Sequence, residues 1–119
     1  MTLRECYESL GGSLDDVLSR LPSEDLVKKF AIKFLDDPSY GDLVKGIETG
    51  DAELAFRAAH TLKGVCQNLS LDRLYVSAHN ITEALRDKQT LDGVEGLEEL
   101  ANKVKEDYEL TVNSIKELS

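Results

Sequence analysis

Apolar residues recur along this chain every three or four positions with polar residues between them, and that spacing predicts helix throughout. Leu3, Tyr7 and Leu10 share one face of a first segment over 2–10, which Gly11-Gly12 breaks. Ser13 is placed to cap a short helix with Asp15 and Asp16 in its first turn and Leu14, Val17, Leu18 and Leu21 on its apolar side. Pro22-Ser23 marks a new start, and Leu26, Val27, Phe30, Phe34 and Leu35 form the apolar face of a helix ending near Asp37-Pro38. Ser39 is read as the cap of a helix carrying Tyr40, Leu43, Val44 and Ile47, closed by a left-handed Gly50. Asp51 caps the helix that follows. A segment over 71–88 aligns Leu74, Ala78, Ile81 and Leu85, and 89–93 reads as a loop. The last segment, 94–118, aligns Leu97, Leu100, Val104, Tyr108, Thr111, Ile115 and Leu118.

These elements predict an all-α fold, an antiparallel four-helix bundle with additional short N-terminal helices. Short connections make neighbouring helices antiparallel. A single domain over 1–119 is expected, with 1–22 as an N-terminal helical segment covering one end or side and 23–119 as the bundle. A chain of 119 residues fits one domain, and 41% hydrophobic residues is too many for a disordered one. The net charge of −9 argues against a nucleic-acid partner and suits an acidic surface that steers towards basic patches. Cys6 and Cys66 form no CxxC and no disulfide or metal framework, and Cys66 is expected to pack as a small apolar group. No apolar leader follows Met1, and no run approaches the ~18 apolar residues of a membrane span. The expectation is a cytoplasmic protein without membrane contact.

The chemistry concentrates in Ala59-His60-Thr61-Leu62-Lys63-Gly64. On a helix His60, Lys63 and Gly64 lie at i, i+3 and i+4 and share a face. Turning about 100° per residue gathers Leu54, Ala55, Ala58, Leu62, Val65, Cys66 and Leu69 in one buried sector, and His60 opposes it. Glu53, Phe56, Arg57, Lys63, Gly64 and Gln67 surround His60 on the exposed side. A histidine in a helical protein is commonly structural, but a structural one belongs in the apolar sector. Glycine within a helix costs about 1 kcal/mol relative to alanine, so Gly64 makes sense where a partner must come close. Lys63 can offset the charge of a phosphoryl group on the imidazole. Phe56 reads either as an apolar anchor for a partner or, more simply, as the place where the N-terminal segment lies. Phe56, Arg57 and Gln67 are the expected docking rim.

These residues resemble the histidine-containing phosphotransfer (HPt) domain of multistep phosphorelays. The match begins at Gly50-Asp51, runs through Ala58-Ala59-His60-Thr61-Leu62-Lys63-Gly64, and continues in Leu69, Leu74, Ile81, Ala84 and Leu85. The resemblance implies that His60 is the phosphoacceptor, that Lys63 stabilises the phosphate and that Gly64 keeps the approach open. It implies response-regulator receiver domains and a hybrid histidine kinase as partners. His60 would accept a phosphoryl group from a receiver aspartate and pass it to another receiver. Any Mg²⁺ would sit on the receiver, with no cofactor on this chain. The chain departs from the family at Ser70, where members often have glycine; Ser70 is read as a changed turn and as the N-cap of the next helix.

No glycine-rich nucleotide loop or Walker pattern occurs, so a phosphotransfer intermediate without ATP-dependent activity of its own is expected, not an enzyme, and a monomer suffices. Two rival readings remain: a non-phosphorylated helical adaptor docking receivers or kinases, and a phosphoacceptor domain excised from a larger histidine kinase. Met1 and a helix finishing near Leu118 favour a free-standing protein over the second. A metal site is disfavoured, because His60 and His79 are the only histidines and no His pair stands at i,i+4. His79, with Glu83 one turn on, reads as a surface or boundary residue.

Overall fold

The computed structural model describes residues 1–118, so Ser119, the last residue of the expected bundle, lies outside the described residues. Among the described residues seven helices follow one another: α1 (Leu3–Leu10), α2 (Leu14–Leu18), α3 (Glu24–Phe34), α4 (Ser39–Thr49), α5 (Ala52–Leu69), α6 (Asp72–Leu85) and α7 (Leu97–Lys116). α4 to α7 form the antiparallel bundle, and the fold is all-α as the periodicity predicts. α5 packs along both α4 and α6, α6 packs on α7, and α1 lies against α7. α7 also meets α4 where Tyr108 stacks on Tyr40 with ring centroids 4.0 Å apart.

α5 buries a narrow stripe of small residues, Ala52, Ala55, Ala58 and Ala59, followed by Leu62, Cys66 and Leu69. Small side chains allow α4 to come close. Its Gly46 is buried against Ala55, and a Cβ on Gly46 would stand 2.6 Å from the Ala55 nitrogen. The α4–α5 turn is made by Gly50 at φ 71°, and Asp51 caps α5 by accepting the Leu54 N–H at 3.0 Å.

The N-terminal helices have a more specific task than covering a side. Tyr7 of α1 is buried and donates its hydroxyl to the Leu69 carbonyl at 2.7 Å, at the C-terminal end of α5. Leu3, Tyr7 and Leu10 are therefore satisfied far from Phe56, and the expectation that this segment lies over Phe56 is corrected. The α5–α6 turn corrects a second expectation. Ser70 is not an N-cap: it ends α5 in the left-handed conformation, φ 54°, while Leu71 precedes α6 without a side-chain cap. Its hydroxyl donates to Asp16 Oδ2 at 2.6 Å and accepts from Arg20. Arg20 also donates to the Gln67 and Asn68 carbonyls at 3.0 and 3.1 Å, satisfying backbone acceptors left over at the end of α5.

Smaller differences have local causes. Ser39 does not cap α4; Asp37 accepts the Ser39 N–H at 2.9 Å. α6 ends at Leu85 and α7 starts at Leu97, so the connection spans 86–96 and buries its own Val94. Phe30, placed by periodicity on the core face of α3, is 36% exposed, while Val27, Ala31 and Phe34 fill the core. Both cysteines are buried, and burial pushes their thiols up, Cys6 to about 11, which keeps them unreactive.

Gly46→Ala should destabilise the fold by about 1–3 kcal/mol, because the new methyl meets backbone that cannot turn aside; urea unfolding measures it. Ser70→Gly and Ser70→Ala both lose the hydroxyl, but only alanine keeps a side chain in the left-handed region. The glycine variant should be the more stable of the two by about 1 kcal/mol. The Ser70 hydroxyl and then Arg20 hold the Asp16 carboxyl below its usual range. A carboxyl lowered in the folded state adds stability above its unfolded value and loses it as pH falls through its folded value. Ser70→Ala should accordingly lose less stability on acidification than the wild-type chain.

Candidate functional site

His60 sits near the middle of α5, exposed, opposite the buried stripe. Among the described residues no protein group hydrogen-bonds either of its ring nitrogens. Its ring lies 6.0 Å from that of half-buried Phe56, inclined by 29°. One turn on, Gly64 faces open space: a Cβ built there would meet nothing within 4 Å. Glycine is thus not required by packing at this point, in contrast to Gly46. Lys63 is half-buried and forms no ion pair within 4.0 Å among the described residues. Arg57 is exposed and pairs with Glu53 at 3.5 Å, and Gln67 is exposed one turn beyond Lys63. The six sequence-predicted residues therefore share one face of one helix, with His60 central.

α6 and its C-cap Arg86 add side chains that the sequence reading did not bring to His60. The Arg86 guanidinium lies 5.2 Å from the Phe56 ring centroid, a cation–π arrangement. Its Nε donates to Glu83 Oε2 at 2.7 Å. That hydrogen bond holds the Glu83 carboxyl below its usual range, and the charges of Arg86, His79 and Lys63 add to the effect. Glu83 is thus bonded to Arg86, the C-cap of α6, and lies within the field of Lys63 on α5. His79, on the same face, is half-buried; its ring stacks on Tyr75 at 6.0 Å and its Nδ1 is buried without a hydrogen-bond partner. A signal for these neighbours existed. Counting outwards from the Ser70-Leu71 turn reaches Lys63 and His79 at about equal distances, and Phe56 and Arg86 at about twice that distance.

On the other flank a groove of about 640 Å³ runs between α3 and the C-terminal half of α5. Phe30, Phe34, Val65 and Leu69 give it an apolar floor, with Lys33, Asp37 and Asn68 at its edges. The Lys33 ammonium stands 5.9 Å from the Phe30 ring. The exposure of Phe30 is explained by its place in this groove, which adjoins Gly64 through Val65.

Fold and site together define a helical-bundle module presenting one unencumbered histidine with a lysine and an open glycine one turn on, and an apolar groove alongside. The family model described as the Hpt domain matches residues 3–109. The chain belongs to that family. Membership places it among the histidine phosphotransfer modules of phosphorelays, phosphocarriers that work with receiver domains and histidine kinases. Neither the curated proteins nor the solved structures yielded a match. No helix among the described residues is long and apolar enough to cross a membrane.

Gly64→Ala should raise stability by about 0.5–1 kcal/mol, as expected for alanine replacing an unobstructed glycine within a helix; thermal unfolding tests this.

Proposed function

We propose that His60 is the phosphoacceptor of this chain, taking a phosphoryl group from the aspartyl phosphate of one receiver domain and passing it to the aspartate of another. The observation that carries the reading is the exposed His60 ring with Lys63 and an open Gly64 one turn on, neither His60 nor Lys63 having a hydrogen-bond or ion-pair partner among the described residues. The lone pair of the unprotonated Nε2 attacks phosphorus. The N–P bond forms as the bond from phosphorus to the aspartyl oxygen breaks, and its electron pair leaves on the carboxylate. The ring then sheds its Nδ1 proton to solvent. Transfer to the second receiver runs the same steps in reverse.

Phosphoryl transfer asks mainly for positioning and charge stabilisation. Phe56 steadies the imidazole from one side, and Lys63 offsets the charge of the incoming oxygens. Gly64 leaves the receiver's reacting loop free to approach. The receiver supplies Mg²⁺, and this chain holds no cofactor. The groove beside Val65 gives the receiver an apolar seat, with Phe30 as its most exposed side chain, and Arg57 and Gln67 form the polar rim. This is how a monomeric carrier docks partners of one shape in turn. Its place is the cytoplasm, where receivers and kinase output domains act.

The chain incubated with a phosphorylated receiver should gain acid-labile, base-stable label, and His60→Gln should gain none. Persistence of the label in that variant would refute the assignment, and receiver binding without label in the wild-type chain would make the protein a docking adaptor. Lys63→Ala should slow transfer about tenfold or more while the circular dichroism spectrum stays that of a folded helical protein. Gly64→Gln, which fills the approach, should slow transfer with an intact His60.

A further inference from the structure

Two cations stand on the α6 side of His60. Lys63 comes from α5 itself, and Arg86 lies over Phe56, the residue whose ring neighbours His60. One carboxylate serves both. Glu83 accepts the Arg86 Nε–H at 2.7 Å, and the charge of Lys63 is felt at the same carboxyl. The terminal nitrogens of Arg86 make no hydrogen bond among the described residues, and Lys63 has no ion-pair partner there. Glu83 and Arg86 are 45% and 44% exposed, so water reaches the pair and the contact is readily exchanged.

We propose that Glu83 limits how tightly this site holds a phosphoryl group, by competing with the phosphoryl oxygens for Lys63 and Arg86. The inference rests on the phosphocarrier reading of His60. A phosphoryl group on His60 brings up to two negative charges into a region where one carboxylate already binds Arg86 and lies in the field of Lys63. Its oxygens must divert Lys63 from the field of Glu83 and recruit Arg86 past its bond to that carboxylate. Each of these is a cost that appears only in the phosphorylated state, and Glu83 adds direct repulsion to it. A carrier has reason to keep such a cost. Cations with no competing carboxylate would lower the energy of the phosphohistidine itself and hinder its discharge to the next aspartate, since binding that stabilises a ground state does not speed its exit. The low titration of the Glu83 carboxyl, caused first by Arg86 and then by neighbouring charge, supports the coupling.

Glu83→Gln keeps the size of the side chain and an acceptor oxygen for Arg86 while removing the charge. It should shift the phosphoryl equilibrium between receiver and chain towards the chain about threefold or more, and lengthen the life of isolated phosphohistidine by a similar factor. The effect should shrink in high salt. It should also shrink in a Lys63→Ala, Arg86→Ala background. An unchanged or shortened lifetime in Glu83→Gln would overturn the proposal, the second outcome making Glu83 a support that aims Arg86. Carbon-detected NMR of the Glu83 carboxyl gives a readout without phosphate: its titration should move up in Lys63→Ala and in Arg86→Ala, and indifference to Lys63 would also overturn the proposal. Wild-type chain that never takes label sinks the phosphocarrier reading and this inference with it, whereas label that ignores Glu83→Gln sinks this inference alone.

Discussion

The left-handed turn at Ser70 is the constraint on which the site depends. It sets where α6 starts relative to α5, and thereby which α6 side chains arrive beside His60 and Lys63. A slip of one residue would turn α6 by about 100° and take Glu83 away from Lys63. The N-terminal helices, besides packing α1 on α7, hold this turn. Tyr7 donates to the Leu69 carbonyl, the Ser13 N–H to the Ser70 carbonyl at 3.0 Å, and the Arg73 N–H to the Gly11 carbonyl at 3.2 Å. A Cβ on Gly12 would stand 2.5 Å from the Ser70 oxygen, so the α1–α2 junction fits only as glycine. Asp16 and Arg20 then grip the Ser70 hydroxyl. A residue conformation that costs about 1–2 kcal/mol in isolation persists because its surroundings leave it no alternative.

The other half of the constraint is the close α4–α5 contact. Alanines and Gly46 bring the two backbones together, so α5 is fixed on the side opposite His60. A helix held from behind can carry His60 and its neighbours on a solvent-facing side without losing its place. The two glycines thus play opposite parts: Gly46 is needed by packing, and Gly64 gives up helix stability where nothing presses on it.

How much of this could be read in the chain follows from which forces are local. Helical periodicity located all seven helices and put His60 opposite the core of α5, because one buried stripe per helix leaves a direct trace in the sequence. The i, i+3, i+4 grouping of His60, Lys63 and Gly64 was legible for the same reason. The turn at Ser70 was not, since serine before a helix ordinarily signals an N-cap and nothing local reveals that Asp16 and Arg20 await its hydroxyl. Glu83 was read only as a surface neighbour of His79 and Arg86 was not singled out, because both join the site only through the register which that turn sets. Phe30 was misplaced because periodicity gives the face of a helix and not the width of the gap beside it. Asp107 shows the same limit: it is buried on α7 and held by Lys103 at 3.1 Å, a charge inside a stripe where the pattern expects apolar residues.

The arrangement around His60 is built from weak contacts, and on the phosphocarrier reading that is a requirement. An intermediate that bound its phosphoryl group through buried, fully paired cations would be a store. Here Arg57 and Arg86 are exposed and each already has a carboxylate partner, Glu53 and Glu83, while Lys63 is half-buried and has no ion-pair partner among the described residues. Exposed ion pairs contribute at most about 1 kcal/mol each, so no single one can trap the group. The decisive charge stabilisation then has to come from the receiver, at the moment of docking, when water is driven from the interface and the same cations act in a lower dielectric. A site that is weak in solvent and strong only under a partner keeps the phosphohistidine exchangeable between receivers and ties transfer to encounter.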